Sequence, residues 1–286
     1  MAHIADGSVA AAATLVAKAL GGNAYLIEFG PSVSGMVTSN PLQHANQPDE
    51  RGVLKHAFLV HTFLFAPGYG GRYAIGSIVS GHIVLIGDSI FDNAVYVPSG
   101  PSVTGHVQRL LPDGWQVTLV AVDGATVSTV FNQLDKIPTD ATHLILSAGG
   151  NDALWTAGNL FAESTNDVRE ALDKLGATCR EFATEYRRLV DELRALQRQL
   201  TLCTIYDSVP GLGDSELAGL CVFNDAISRT AFAVNATLID LRNICDESTD
   251  YAGISPIEPS ASGGGKIARA IMDAVGDGSV TRRVIA

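Results

Sequence analysis

The stretch Ile83-Val84-Leu85-Ile86-Gly87-Asp88-Ser89-Ile90-Phe91-Asp92-Asn93 decides how this chain folds. Its first residues are a β-prone apolar run that stops at a glycine, and an acid, a hydroxyl and a turn come next. Four similar runs follow: VTLVA from Val117, HLILSA from His143, LCTIY from Leu202 and TLID from Thr237. Each is apolar on both faces, the pattern of strands covered on two sides in a parallel sheet. Helical stretches near 103–111, 126–134, 165–200, 214–234 and 263–275 separate them and are long enough for right-handed crossovers. The spacing predicts an α/β fold over residues 82–286: a doubly wound, flavodoxin-like, five-stranded parallel sheet in three α/β/α layers.

The longest helical stretch carries Leu172, Leu175, Cys179, Phe182, Tyr186, Leu189, Leu193, Leu196 and Leu200 at three- and four-residue steps. Such a stripe is expected to lie on its own sheet, a dimer seam being the alternative, and the oligomeric state is left open. Residues 1–81 lack this rhythm: they hold scattered Gly and Pro, the polar stretch SNPLQHANQPDERG from Ser39 and loose apolar clusters. They read as an N-terminal extension of unassigned fold. Its Gly-rich piece APGYGGRYAIG from Ala66 fits neither phosphate-binding glycine spacing and reads as a turn-rich connector.

Composition narrows the function classes. Hydrophobic residues make up 47% and charged residues 17%, which fits a folded globular chain and argues against disorder. Nineteen Lys and Arg against 30 Asp and Glu give a net charge of −11, so the basic footprint that binds phosphate backbones is missing and no nucleic-acid partner is expected. Cys179, Cys203, Cys221 and Cys245 stand singly, without zinc spacing, and are expected to be mostly buried thiols; no metal is implied. Residues 8–20 are apolar but lack a basic flank, and no run reaches the ~18 apolar residues of a membrane span. The expectation is a chain without a membrane span and cytoplasmic, secretion being the alternative.

In open parallel sheets the functional crevice lies beyond the carboxyl ends of the strands. After the first strand, Gly87-Asp88-Ser89 would point a hydroxyl into that crevice; a helix starting there would add free N–H groups for a substrate oxygen. After the second comes Val122-Asp123-Gly124-Ala125-Thr126, whose glycine lets a backbone N–H approach a ligand. The third ends in Gly149-Gly150-Asn151-Asp152, where Asn151 offers an amide donor. A hydroxyl and two donors at three strand ends are the parts of an ester-hydrolysing site.

In this order after successive strands, GDSIFDN, the glycine of VDGAT and GGND resemble the first three blocks of the SGNH (GDSL-type) hydrolase family, over about residues 82–275. The resemblance implies that Ser89 is the nucleophile, that the Ser89 N–H, Gly124 N–H and Asn151 side chain form an oxyanion hole, and that Asp88 and Asp152 brace loops. It implies a small-molecule ester substrate and no cofactor. The family's fourth block, Asp-x-x-His before the last helix, is altered: Ser255 and Glu258 occupy the Asp and His positions. All seven histidines, His3, His44, His56, His61, His82, His106 and His143, precede Gly149; His106 and His143 are expected to be structural.

Glu258 is therefore the expected general base; the alternatives are a surface or capping role for Glu258 and a histidine reaching in from the first eighty residues. A carboxylate is weaker, with an ordinary pKa of about 4.3 against about 6.5 for His, and burial would recover basicity. The expected activity is hydrolysis of carboxylic esters or thioesters through an acyl-serine. Two other readings stay open. One is a catalytically inactive SGNH-like binding module. The other is a Mg-dependent phosphohydrolase built on the strand-end aspartates Asp88, Asp123, Asp152, Asp207 and Asp246, although no Lys or Arg stands in GDSIF, VDGAT, GGND or YDSV. The acyl chain and alcohol depend on the stretches 153–164 and 208–218, which are expected to be loops.

Overall fold

A computed structural model describes residues 81–276 continuously, together with short strands between residues 16 and 75. The chain divides into two compact units, residues 1–79 and 80–286. In the first, Val16–Ala19, Tyr25–Glu28 and Arg72–Ile75 form an antiparallel sheet, and Met36–Val37 pairs with Phe63–Leu64. The Gly-rich piece expected to be a connector thus ends in a strand, Arg72–Ile75, and its other residues lie outside the described ones. His3, His44, His56 and His61 also lie outside the described residues.

The second unit is built on five parallel strands: β1 (His82–Gly87), β2 (Gln116–Leu119), β3 (His143–Ser147), β4 (Gln199–Cys203) and β5 (Thr237–Ile239). Their order, β2-β1-β3-β4-β5, is that of a doubly wound sheet, with the reversal beside β1. Around it run α1 (Val103–Leu110), α2 (Val127–Val130), α3 (Gly150–Leu160), α4 (Val168–Ala195), α5 (Asp214–Val234) and α6 (Ala261–Val275). The apolar alternation of β1 and β3 feeds two cores. Val84, Ile86, Leu144 and Leu146 pack in the layer of α2, α4 and α5, while Ile83, Leu85 and Ile145 pack in that of α1 and α6. β1 and β3 are buried at every position, which is why they read as uninterrupted apolar runs.

The structure departs from the sequence reading in four places. The stretch expected to be one helix to residue 200 stops at Ala195, because Gln197 takes the left-handed conformation at φ 57° and the chain turns into β4. β4 accordingly starts at Gln199, upstream of the expected LCTIY, and Leu200 belongs to it. Residues 150–160, expected to be turn and loop, form α3: the glycines set its entry and leave the following apolar residues free to wind. Glu258 sits on a strand of a small antiparallel hairpin, β6 (Tyr251–Ala252) with β7 (Ser255–Pro259). The stripe of α4 buries Phe182, Tyr186, Leu189, Val190 and Leu193 in the core, whereas Leu172 is exposed.

α5 has the length and a mean hydropathy of 1.2 that a membrane span would show, yet Phe223, Ala226, Ile227 and Ala231 are buried in this unit's core. Of the cysteines, Cys203 and Cys245 are buried, Cys179 is half-buried, and Cys221 is exposed, against the expectation.

At the sheet's centre Gly87 ends β1 with φ +129°, and a Cβ there would lie 1.7 Å from the Ser147 carbonyl oxygen of β3. The buried Gln133 amide closes on the same residue: its Oε1 accepts the Gly87 N–H at 2.9 Å and its Nε2 donates to the Gly87 carbonyl at 2.7 Å. Gly87→Ala therefore meets both a steric and a backbone conflict. We expect it to lower stability by about 2 kcal/mol or more, read as a fall of at least ~4 °C in Tm; an unchanged Tm would refute the close-approach account.

Candidate active site

Beyond Gly87 the chain makes one helical turn rather than a longer helix. The Phe91 and Asp92 N–H groups both donate to the Asp88 carbonyl at 3.1 Å, and α1 starts only at Val103. The Asp88 carboxylate caps this turn, its Oδ1 accepting the Ile90 N–H at 3.1 Å. Ser89 occupies the first position of the turn, and its N–H makes no hydrogen bond among the described residues. Its side chain, 8% exposed, lines a cavity that Asn151 also lines.

The next two strand ends are tied to the first and to each other. Asp92 Oδ2 accepts the Asp123 N–H at 3.1 Å, and the Tyr96 hydroxyl donates to Asp123 Oδ2 at 2.7 Å. Val122 to Ala125 form a turn with Gly124 at φ +75°, and the exposed Gly124 N–H has no partner among the described residues. Gly149, at φ +117°, swings β3 into α3. Asn151 Nδ2 then donates to the Ala125 carbonyl at 2.9 Å; an amide carries two N–H groups, so one is fixed and the other remains for a ligand. Asp152 Oδ2 accepts the Val127 N–H at 3.0 Å, which braces the same loop from α3. Ser89 and Asn151 thus share one cavity, and Gly124 lies outside its wall, one residue from the carbonyl that orients Asn151.

Glu258 is buried at 4% exposure. Its pKa is raised, first by burial and further by the charge of Asp123, while the nearby Ser255 and Ser89 hydroxyls pull it back down. Glu258 Oε2 is buried with no hydrogen-bond partner among the described residues. Its backbone is held on both sides: the Tyr206 hydroxyl donates to the Ile257 carbonyl, and Asn93 Nδ2 donates to the Pro259 carbonyl at 2.9 Å. Asn93 is itself fixed by accepting the Val103 N–H at 2.9 Å. Sequence reasoning placed Ser255 only as a lost aspartate and gave Asn93 and Tyr206 no role. Hydrogen bonds spanning 166 and 51 residues leave no local signal.

The described histidines serve the scaffold. His106 Nε2 bonds the Ala261 carbonyl oxygen at 2.8 Å, His82 lies between Asp140 and Thr118, and His143 stacks on Trp115. Asp88, Asp123 and Asp152 are engaged in the contacts above, and Asp246 faces Lys266. Among the described residues no three His, Cys, Asp or Glu side chains gather as a metal-binding set.

Asp88 is fully buried and its pKa is pushed up to about 7, first by burial and then by the charges of Asp152 and Asp123. The folded chain therefore keeps a proton that the unfolded one, with the ordinary value of 3.8, has lost. Ionising Asp88 costs stability increasingly as pH rises from the lower value to the higher, and fully above it. Asp88→Asn keeps the Oδ1 acceptor and removes the charge. Its Tm should gain on that of the parent as pH rises from about 4 to about 7, the window between the two values, and hold that gain above it; a gain constant with pH would count against the linkage.

The GDSL-like lipase/acylhydrolase family model matches residues 85–263, which span all four blocks considered above. Compared by sequence with curated proteins, the chain matches none. Among solved structures it is similar to the lipase Lip_vut3 from a goat rumen metagenome, with a TM-score of 0.55 and 15% identity over 68% of this chain and 98% of that one. A tryptophan-to-isoleucine mutant of Axe2, an acetyl-xylooligosaccharide esterase of Geobacillus stearothermophilus, gives 0.52 at 18% identity over 72% and 99%. The acetyl xylan esterase AlAXEase gives 0.51 at 17% over 68% and 99%. At these identities the neighbours speak for the fold. With the fold, the strand-end site and the family model in agreement, the chain belongs to the GDSL-like lipase/acylhydrolase family, enzymes that hydrolyse carboxylic esters.

Proposed function

We propose that this enzyme hydrolyses carboxylic esters or thioesters through an acyl-Ser89 intermediate, with Glu258 as the general base. The observation that carries the reading is the buried Glu258 carboxyl, near enough to the Ser89 hydroxyl for that hydroxyl to lower its pKa, with one oxygen that has no hydrogen-bond partner among the described residues. Ser89 Oγ attacks the substrate carbonyl carbon as Glu258 takes the hydroxyl proton. The oxygen that becomes negative is received by the Ser89 N–H, the Gly124 N–H and the second Asn151 amide hydrogen, three donors without protein partners among the described residues. Collapse breaks the ester C–O bond, and the leaving alcohol takes the proton from Glu258. Water then attacks the acyl-serine, Glu258 takes its proton, and Ser89 leaves as the hydroxyl.

A carboxylate in the histidine's place needs basicity and orientation. Burial and the Asp123 charge raise its pKa while the nearby Ser255 hydroxyl favours the charged form, which is a reason for serine at the family's aspartate position: an acid there would repel Glu258. The solved neighbours include a lipase and acetyl esterases, so the fold by itself leaves the acyl group unassigned.

Ser89→Ala should reduce p-nitrophenyl ester hydrolysis by about 10³-fold or more and abolish labelling by a fluorophosphonate probe. Retained turnover or labelling at another residue would overturn the nucleophile. For Glu258 the ionised form is the active one, so kcat/KM should rise with pH through an acidic limb lying above the ordinary carboxylate value of about 4.3. Glu258→Gln should lower kcat by about 10²-fold or more, and Glu258→His should move the limb towards the histidine value. A limb that stays in place in both variants would return Glu258 to a structural role.

A further inference from the structure

The cavity that opens at Ser89 extends well past the reacting atoms. From Asn151 its wall follows α3 through Leu154 and Ala157 to Phe161 just past the helix end; ten residues at 1.5 Å each make this about 15 Å of helix axis. Leu175 of α4 and Leu220 and Phe223 of α5 complete the apolar wall. Its polar members are already engaged or sit at the reacting end. Asp88, Ser89, Ser147 and Asn151 surround the attack site; Glu216 accepts the Gly213 N–H at 3.1 Å as a cap of α5; and the Tyr206 hydroxyl donates to Ile257. Beyond the reacting end Thr156 is the remaining polar side chain.

We propose that this cavity is the acyl-chain site, and that the substrates of this enzyme carry an aliphatic acyl group much longer than acetyl. The inference rests on Ser89 as the nucleophile. A chain esterified to Ser89 has its carbonyl beside Asn151 and its first methylene groups at the mouth of a predominantly apolar wall, on which the Thr156 hydroxyl and the second Glu216 oxygen are the side-chain hydrogen-bonding groups left for a sugar or peptide. Each methylene removed from water against such a wall improves binding by up to about fourfold. An acetyl group leaves nearly all of that wall unused.

Gly219 of α5 lines the cavity, and a Cβ there meets nothing within 4 Å, so a side chain at this position grows into open space. The test compares kcat/KM for p-nitrophenyl octanoate and p-nitrophenyl acetate in the parent, Gly219→Leu and Ala157→Phe, with Tm confirming the fold. Gly158→Ala serves as the control, because its site lies outside the cavity wall, exposed and with room for a Cβ. The parent should favour octanoate at least tenfold, each cavity variant should cut that ratio at least tenfold, and the control should keep it. A parent ratio of one or below, or a ratio that both cavity variants leave intact, overturns the acyl-chain site while fluorophosphonate labelling of Ser89 keeps the nucleophile. No labelling and no hydrolysis of either ester takes both down.

Discussion

Where β1 ends, the backbone of Gly87 passes so near the Ser147 carbonyl that no side chain fits between them, and the buried Gln133 amide closes on it from a third element. That contact fixes the positions of the first and third strand ends relative to each other. Asp88 follows Gly87 and caps the turn that carries Ser89; Gly149 follows Ser147 and aims α3, so that Ser89 and Asn151 reach one cavity. The second strand end is then pulled in by side chains, Asp92 on Asp123, Asn151 on Ala125 and Asp152 on Val127. A site assembled in this way is rigid before any ligand arrives, and preorganised donors are what stabilises charge that appears only in the transition state.

With Glu258 in the proposed role, the altered fourth block is a paired change. A histidine base is held by an aspartate because an imidazolium needs a negative neighbour. A glutamate in the proposed role would be opposed by one, and here Glu258 has the neutral Ser255 hydroxyl nearby and its pKa raised by burial. The hairpin strand that presents it is anchored at both flanking carbonyls by Tyr206 and Asn93, which reach in from the fourth and first strand ends. The carboxyl proposed as the proton acceptor is thereby placed by the same strand ends that place Ser89.

Much of this was legible in the chain. The buried strands β1 and β3 are apolar throughout, so their pattern needs no tertiary information, and Gly-Asp-Ser and Gly-Gly-Asn-Asp mark their ends as turns. Less legible were α3, whose opening glycines resemble a loop, and the end of α4, where Leu196 and Leu200 continue the helical spacing past the left-handed Gln197. Spacing counts residues and does not register a single φ reversal. The first of these bears on the proposed function, because α3 forms one wall of the cavity that Ser89 lines.

The sequence by itself determined the parallel sheet, the order of its strand-end motifs and the absence of any histidine after Gly149, since these depend on residue type and local pattern. Only the tertiary structure decided that Glu258 is buried beside Ser89, that Ser255, Asn93 and Tyr206 attend it, and that an apolar cavity continues from the reacting end. The physical reason is range. Strand and turn preferences act between neighbours in the chain, whereas desolvation, hydrogen bonds across 166 residues and the shape of a cavity exist only once distant segments have packed.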